Sequence, residues 1–170
     1  AELWERALFY AQRAGDHARS LHAPHAAIEH YTRAITAAQS LVDTSTSALY
    51  RRRGQVYELL GDFEHAHTDY CTALTAAQDK QDRSTLWQAQ IDLGFLWAQR
   101  DYTQAGDYFA QALTTARQLD DPLRLAHTLK RLGNWHMNVE HPQESVPMLN
   151  EALQIFEALD DSRGVAETLD

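Results

Sequence analysis

Histidines are the most obvious candidates for metal chemistry in this sequence, which holds nine of them among 170 residues. His22 and His25 are three positions apart, but Pro24 and a turn between them break the one-face geometry of a helical ligand pair. His65 and His67 are two positions apart, so on a helix their side chains diverge by about 200°. No HExxH motif or cysteine pair supplies further ligands. The sequence therefore predicts no metal site and no cofactor.

Catalytic chemistry has no recognisable framework either. The sequence contains no nucleophile elbow, phosphate loop or Gly-rich dinucleotide fingerprint. The single cysteine, Cys71, excludes an internal disulfide, and we interpret it as a small side chain packed in the middle of a helix. Carboxylates concentrate at predicted helix starts and on exposed faces, where capping and solvation account for them. We therefore expect that the chain is not an enzyme.

The charge balance narrows the class of partner. With 15 Lys and Arg against 24 Asp and Glu, the formal net charge is −9, and an acidic chain repels phosphate backbones. Arg51-Arg52-Arg53 is the only basic run, and at 100° per residue it cannot present one flat patch on a helix. We therefore predict no direct nucleic-acid partner. The absence of a signal peptide and of a long apolar run predicts no membrane partner and a cytoplasmic location.

The elements that carry these residues form a repeat. The stretch from Ala48 to Ala76 predicts two amphipathic helices joined by a turn at Leu60-Gly61-Asp62. Its marker residues recur every 39 or 40 positions: a glycine (Gly15, Gly54, Gly94, Gly133), an alanine (Ala34, Ala73, Ala112, Ala152) and an aspartate at each expected start of a new helix (Asp43, Asp82, Asp121, Asp161). An aromatic residue or leucine precedes each alanine by three: Tyr31, Tyr70, Phe109 and Leu149. This period predicts an all-α fold, an α-α superhelix (solenoid) of four antiparallel helix pairs plus a truncated ninth helix.

The second repeat resembles the tetratricopeptide repeat nearly throughout, through Gly54, Tyr57, Gly61-Asp62-Phe63, Ala66, Tyr70 and Ala73. On this basis residues 1–170 form one array, with repeats at about 4–42, 43–81, 82–120 and 121–160, and 161–170 begins a further repeat. Repeat three is one residue shorter between its glycine and alanine, 18 against 19, which leaves two registers open for its first helix. Repeat four departs further, with His136, Glu140-His141-Pro142 and Ser145 at positions that define the motif.

The long period is similar to that of sensor arrays in bacterial STAND-type and LuxR-type regulatory ATPases. The segments Leu119-Asp120-Asp121-Pro122 and Leu159-Asp160-Asp161-Ser162 support this second resemblance. In those proteins the array lies C-terminal to a nucleotide switch. The chain begins with Ala and ends about one turn into the ninth helix, so we expect an excised fragment of a larger regulatory protein.

The family resemblance implies that the first helices of the pairs line a concave groove. The lining positions, counted from each reference glycine, are −6, −3, +1 and +4. The candidate binding residues are Gln12, Asp16 and Arg19 in repeat one, Arg51, Gln55 and Glu58 in repeat two, Gln88, Ile91 and Phe95 in repeat three, and His127, Lys130, Asn134 and Met137 in repeat four. Lys130 and Asn134 match positions at which chaperone-binding members clamp a terminal carboxylate. Arg53 stands where the family usually has leucine.

Three functions fit this pattern. The first is a non-catalytic protein-protein interaction or sensor module that binds a peptide or protein segment in the groove. The second is a small-molecule receptor coupled to a nucleotide switch outside the chain, which a deep pocket walled by Trp87, Phe95 and Trp97 would favour. The third is a structural spacer.

The C-terminal end carries a separate prediction. The last complete helix presents Leu153, Ile155, Phe156 and Leu159, and by the repeat part of that surface should meet a fifth helix pair. The chain supplies only Val165, Ala166 and Leu169 of the next helix. A natural end repeat usually has a polar outer face. We therefore expect self-association through this end.

Overall fold

The computed structural model describes residues 2–169, and every regular element in that range is an α-helix. In chain order the helices are α1 (Glu2–Ser20), α2 (Pro24–Gln39), α3 (Ser47–Leu59), α4 (Phe63–Asp79), α5 (Arg83–Ala98), α6 (Tyr102–Ala116), α7 (Pro122–Asn138), α8 (Pro142–Ala158) and α9 (Ser162–Leu169). The all-α class is confirmed. The end residues Ala1 and Asp170 of the predicted array lie outside the described residues. None of the described helices is both long and apolar enough to cross a bilayer.

Aspartates cap several helices as the sequence predicts. Asp62 accepts a hydrogen bond from the His65 N–H, which caps α4, and Asp121 accepts one from Arg124 N–H at the start of α7. Such a bond satisfies a backbone donor that has no partner within the helix. Asp43 is the exception: it has a left-handed backbone with φ +61°, and α3 begins only at Ser47. A helix start at Asp43 was therefore a wrong prediction.

The chain divides into two compact units, residues 1–96 and 97–170, and the boundary falls near the end of α5. In unit 1, α1 packs on α2, α2 on α3, and α3 on α4. In unit 2, α6 packs on α7, α7 on α8, and α8 on α9. Most connections span three residues, such as 60–62 and 139–141, so consecutive helices within a pair run antiparallel. The predicted pairs of α1 with α2, α3 with α4 and α7 with α8 are thereby confirmed within the units.

Close contacts between glycine and a large side chain explain the repeat. A Cβ placed on Gly15 would lie 2.7 Å from the Tyr31 ring, and one on Gly54 would lie 2.7 Å from the Tyr70 ring. Real Cβ atoms essentially never approach other atoms so closely, so only glycine allows the second helix to come this near. In unit 2, the glycine of repeat four accommodates a leucine in the same way, with Leu149 at 2.8 Å. In repeats one, two and four, the recurring glycine and the recurring large residue thus form the two sides of one contact.

The short helix α9 docks on α8 within unit 2. Gly164 lies directly against the Phe156 ring, and Val165 packs on the core cluster to which Phe156 belongs. Lys130 of α7 donates a hydrogen bond to Glu167 of α9, with Nζ and Oε2 2.6 Å apart. A helix of eight residues is not stable alone in water, so these contacts are what hold α9 in place.

Candidate functional site

The predicted binding residues of unit 1 all lie at the surface of α1, α3 and α5. We call this set the first-helix stripe: Gln12, Asp16, Arg19, Arg51, Gln55, Glu58, Gln88, Ile91 and Phe95. Arg19, Glu58 and Phe95 are exposed and the other six are half-buried. The helical spacing therefore identified side chains that water, and hence a ligand, can reach.

Two contacts join α1 to α3 across this stripe. Arg19 Nη1 donates to Gln55 Oε1 at 3.0 Å. Arg52 Nη1 lies 2.5 Å from both carboxylate oxygens of Asp16. Arg52 was not among the predicted residues. In this part of the stripe, Asp16 and Arg19 therefore each have a polar partner on α3.

A more buried ion pair joins α3 to α5. Arg51 contacts Asp92, with Nε and Oδ2 2.5 Å apart, and the two side chains are only 23% and 13% exposed. Burial raises the pKa of Asp92 to about 6, although Arg51 and a hydrogen bond from Gln55 oppose the rise. Nearby Glu58 raises it further by like-charge repulsion. Asp92, which the sequence analysis missed, is thus an acid that titrates close to neutral pH.

These pairs also indicate the register of repeat three. Asp16 and Arg52 occupy positions +1 and −2 from the glycines of successive repeats. Gln55, which forms a hydrogen bond with Asp92, likewise follows Gly54 by one position, and Asp92 precedes Gly94 by two, as Arg52 precedes Gly54. The polar contacts therefore favour the register set by the glycine.

Tyrosines from the second helices hold two carboxylates of the stripe. Tyr31 Oη donates to Asp16 Oδ1 at 2.7 Å, and Tyr70 Oη donates to Glu58 Oε2 at 2.6 Å. Burial, together with the acceptor carboxylate, raises the pKa of Tyr31 to about 12, and burial also raises the pKa of Tyr70. Although burial opposes it, the hydrogen bonds from Tyr31 and Arg52 lower the pKa of Asp16. At neutral pH Tyr31 and Tyr70 therefore keep their hydroxyl protons and hold the two carboxylates in position.

Arg53 has a separate, internal role. Its Nε and Nη2 atoms donate to the two oxygens of Asp69, both at 2.8 Å, in a bidentate pair between α3 and α4. Asp69 is only 3% exposed. The hydrogen bonds that Arg53 donates to Asp69 raise the pKa of Arg53 in spite of burial. The position that usually carries leucine is therefore filled by a cation whose buried counter-ion comes from the second helix of the pair.

The predicted residues of unit 2 lie on α7: His127, Lys130, Asn134 and Met137. Asn134 and Met137 are exposed. Lys130 Nζ is 2.6 Å from Glu167 Oε2 and 6.0 Å above the Phe156 ring. Burial, followed by the charges of Lys130 and Arg131, lowers the pKa of His127. A terminal carboxylate at the predicted clamp would compete with Glu167 for Lys130.

Family models agree with the repeat. Models described as Tetratricopeptide repeat match residues 48–80 and 94–158, which together are more than half of the chain. No curated protein sequence matches the chain.

Solved structures share the fold at low sequence identity. Aspartyl phosphate phosphatase F from Bacillus subtilis is 11% identical with a TM-score of 0.87, covering 97% of this chain and 44% of that chain. The Rap conjugation gene regulator of plasmid pLS20, in complex with the Phr* peptide, is 16% identical with a TM-score of 0.75, covering 96% and 45%.

A third similar structure is a signal transduction ATPase with numerous domains that carries a tetratricopeptide repeat sensor, from Pyrococcus horikoshii. It is 13% identical with a TM-score of 0.79, covering 96% of this chain and 25% of that chain. This chain thus spans less than half the length of each of these three proteins.

Proposed function

The chain belongs to the tetratricopeptide-repeat family, and on that basis we propose that it is a non-catalytic interaction module. Its binding surface is the first-helix stripe of unit 1, and its ligand is an extended peptide or protein segment. The observation that carries this proposal is the connected row of amide, acidic and basic side chains on α1, α3 and α5. The Rap regulator of similar fold was solved with a peptide, which supports a ligand of this class.

The side chains of the stripe match the chemistry of an extended backbone. Glutamine amides both donate and accept, so Gln12 and Gln88 can pair with peptide N–H and C=O groups. Phe95 is 40% exposed and offers an apolar contact. The stripe therefore combines backbone recognition with a place for one apolar side chain of the ligand.

The stripe is also held in position before a ligand arrives. Asp16 is fixed by Tyr31 and Arg52, and Glu58 by Tyr70. Fixed side chains lose less conformational entropy on binding, which favours affinity. Arg19 is the more accessible of the two cations in the stripe, because its side chain is exposed whereas Arg51 is half-buried. The hydrogen bond described for Arg19 goes to the neutral Gln55 amide. We expect the ligand to place an acidic group there.

We further propose that the chain acts as the sensor segment of a larger regulatory protein in the cytoplasm. This rests on the similarity to an ATPase with a tetratricopeptide repeat sensor and on the Asp-Asp segments between repeats. In that role ligand binding on the stripe would be passed to a switch elsewhere in the parent protein.

Selection from a phage-displayed library of random peptides tests the proposal. The chain is immobilised, the enriched peptides are synthesised, and their affinities are measured for wild type, Arg19→Glu and Arg33→Glu. Both changes reverse the same charge, but Arg33 lies on α2 and is 65% exposed. We expect at least a tenfold loss for Arg19→Glu and wild-type affinity for Arg33→Glu. No enrichment would favour a spacer, and equal affinities for both variants would place binding elsewhere; either result overturns the proposal.

A further inference from the structure

The turn between α7 and α8 brings together three potential metal ligands. His136, His141 and Glu144 each offer one ligand atom, and these atoms all lie within 4.8 Å of one another. Among residues 2–169 this is the one group of three or more such side chains that meets the geometric condition. We propose that it binds a divalent transition metal of the zinc class. Neither the repeat fold nor the proposed stripe requires such a site.

The backbone of the turn creates this arrangement. His136 lies in the last turn of α7, His141 is the N-cap residue of α8, and Glu144 lies in the first turn of α8. Glu140 has a left-handed backbone with φ +61°, and the His141 N–H donates to the His136 carbonyl at 2.9 Å. The reversal of the chain therefore folds His141 back towards His136, which the regular spacing of a single helix would not do.

The ligand set suits zinc better than the hard cations. Two imidazoles and one carboxylate form a known zinc set that leaves a fourth position open for water or another donor. Magnesium and calcium prefer shells made of oxygen. Borderline metals such as nickel and copper compete for the same nitrogen ligands, so the class is defined by the two histidines.

Two features leave the histidines available for a metal. Nδ1 of His136 is buried and has no hydrogen-bond partner among the residues described. His141 caps α8 by position, but its side chain makes no capping hydrogen bond. A buried polar atom without a hydrogen-bond partner is unfavourable, because it has given up water and gained nothing in return. A bound cation would give the imidazoles the interaction that the protein itself does not supply.

The site also coincides with the departures of repeat four from the pattern. His136 replaces the aromatic residue that repeats two and three carry as Tyr57 and Trp97. At the turn, His141 stands where α4 has the capping aspartate Asp62. Repeat four thus lacks the capping bond of the earlier repeat and has metal-ligating side chains in its place. A metal would tie α7 to α8 at the point where that bond is missing.

Titration of the full chain with zinc chloride in a calorimeter tests the site. Wild type is compared with His141→Gln and Glu144→Gln, both at exposed positions. The matched control is His22→Gln/His25→Gln, which removes two histidines beside a proline at the corresponding turn of repeat one. We expect saturable binding of one zinc ion per chain in wild type and control, and at least a tenfold loss of affinity in each of the other variants.

A second readout follows from Trp135, whose ring centroid lies 5.0 Å from that of His136. Copper or nickel bound at His136 should quench part of the tryptophan emission in wild type and control, and less of it in His141→Gln. Thermal midpoints without metal confirm that each variant is folded. Absence of saturable zinc binding in wild type, or wild-type affinity in either His141→Gln or Glu144→Gln, would overturn the three-ligand site.

Discussion

Units 1 and 2 use the same contact between helices but give it different chemistry. In unit 1 the side chains that cover the glycines are Tyr31 and Tyr70, whose hydroxyls reach carboxylates on the first helices. In unit 2 the side chain at the same position of repeat four is Leu149, which covers Gly133 and has no polar group. The same packing contact therefore holds carboxylates in position in unit 1. Leu149 in unit 2 has no hydroxyl and cannot do so.

The polar ties between successive first helices differ as well. Unit 1 has Asp16 with Arg52 and Arg51 with Asp92, whereas α7 and α9 of unit 2 are joined by Lys130 and Glu167. The Asp92 side chain is 13% exposed, whereas Asp16 of unit 1 and Glu167 of unit 2 are 40% and 41% exposed. Exposed pairs contribute little to stability because water and salt screen them. The comparison shows that a repeat fixes where side chains meet, while single residues decide how strongly they interact.

The largest effect should come from the buried pair that is particular to unit 1. Replacing Asp69 with alanine leaves the Arg53 guanidinium without its buried counter-ion, and we expect a loss of about 3–5 kcal/mol in the free energy of unfolding. Urea denaturation measures it. Asp107→Ala, on the exposed surface of α6 in unit 2, should change stability by less than about 0.5 kcal/mol. Similar losses for the two variants would remove the distinction between the units.

The next test uses the buried alanine that occupies the same repeat position in each unit. Ala73 in unit 1 and Ala112 in unit 2 are both fully buried. Leucine at either position overpacks the contact and should destabilise the protein by about 1–3 kcal/mol, measured by urea denaturation. Gln78→Glu on the exposed surface serves as the control, with a change below about 0.5 kcal/mol. An unaltered midpoint for Ala73→Leu would mean that the repeats are wrongly aligned.

The tyrosine hydroxyls should have a smaller effect. Tyr70→Phe keeps the ring against Gly54 but removes the donor to Glu58, so we expect a loss of about 1 kcal/mol. Affinity for the selected peptides should fall too, since Glu58 is no longer held in place. Tyr10→Phe, at a position that is 62% exposed, is the control for stability and binding. If Tyr70→Phe matched wild type in both measurements, the hydroxyl would be irrelevant to the stripe.

Stability of unit 1 should depend on the protonation of Asp92. Its pKa is raised from 3.8 to about 6, so the folded chain binds this proton more tightly than the unfolded chain does. The resulting stabilisation is complete below the unfolded value and is lost as the pH rises through about 6. Between pH 7 and pH 5 wild type should therefore gain about 1 kcal/mol relative to Asp92→Asn, which cannot titrate.

Urea denaturation of both proteins at several pH values measures this difference. Gln78→Asn, at an exposed position without an ionisable group, should show a constant difference from wild type over the same range. A difference between wild type and Asp92→Asn that does not vary with pH would contradict the raised pKa.

The smallest effect concerns the C-terminal end of unit 2. Leu159 is 43% exposed beside the docked helix α9, and we propose that it contributes to weak self-association. Leu159→Gln should lower the association seen by sedimentation velocity at high concentration. Leu59→Gln, at the end of α3 in unit 1 where the leucine is 76% exposed, should leave it unchanged. Equal self-association of both variants and wild type would exclude this role.

The sequence by itself determined the helices, their pairing and the residues at their contacts. The glycine and alanine markers recur with the period of the helix pairs. The capping bonds of Asp62 and Asp121 join each aspartate to a backbone N–H three residues further on. Such features depend on neighbours along the chain, which is why periodicity and residue type suffice to predict them. The same periodicity placed the nine stripe residues on accessible faces of α1, α3 and α5.

Only the tertiary structure decided which of these side chains meet. Arg52 lies 36 positions from Asp16, and Arg51 lies 41 positions from Asp92, so the rotation and spacing of packed helices select these partners. The grouping of His136, His141 and Glu144 likewise depends on the left-handed backbone of Glu140. A glutamate in the sequence does not predict that conformation. A linear pattern records which face a side chain occupies, whereas burial, pKa and ligand geometry are set by distances of a few ångströms between segments that are remote in sequence.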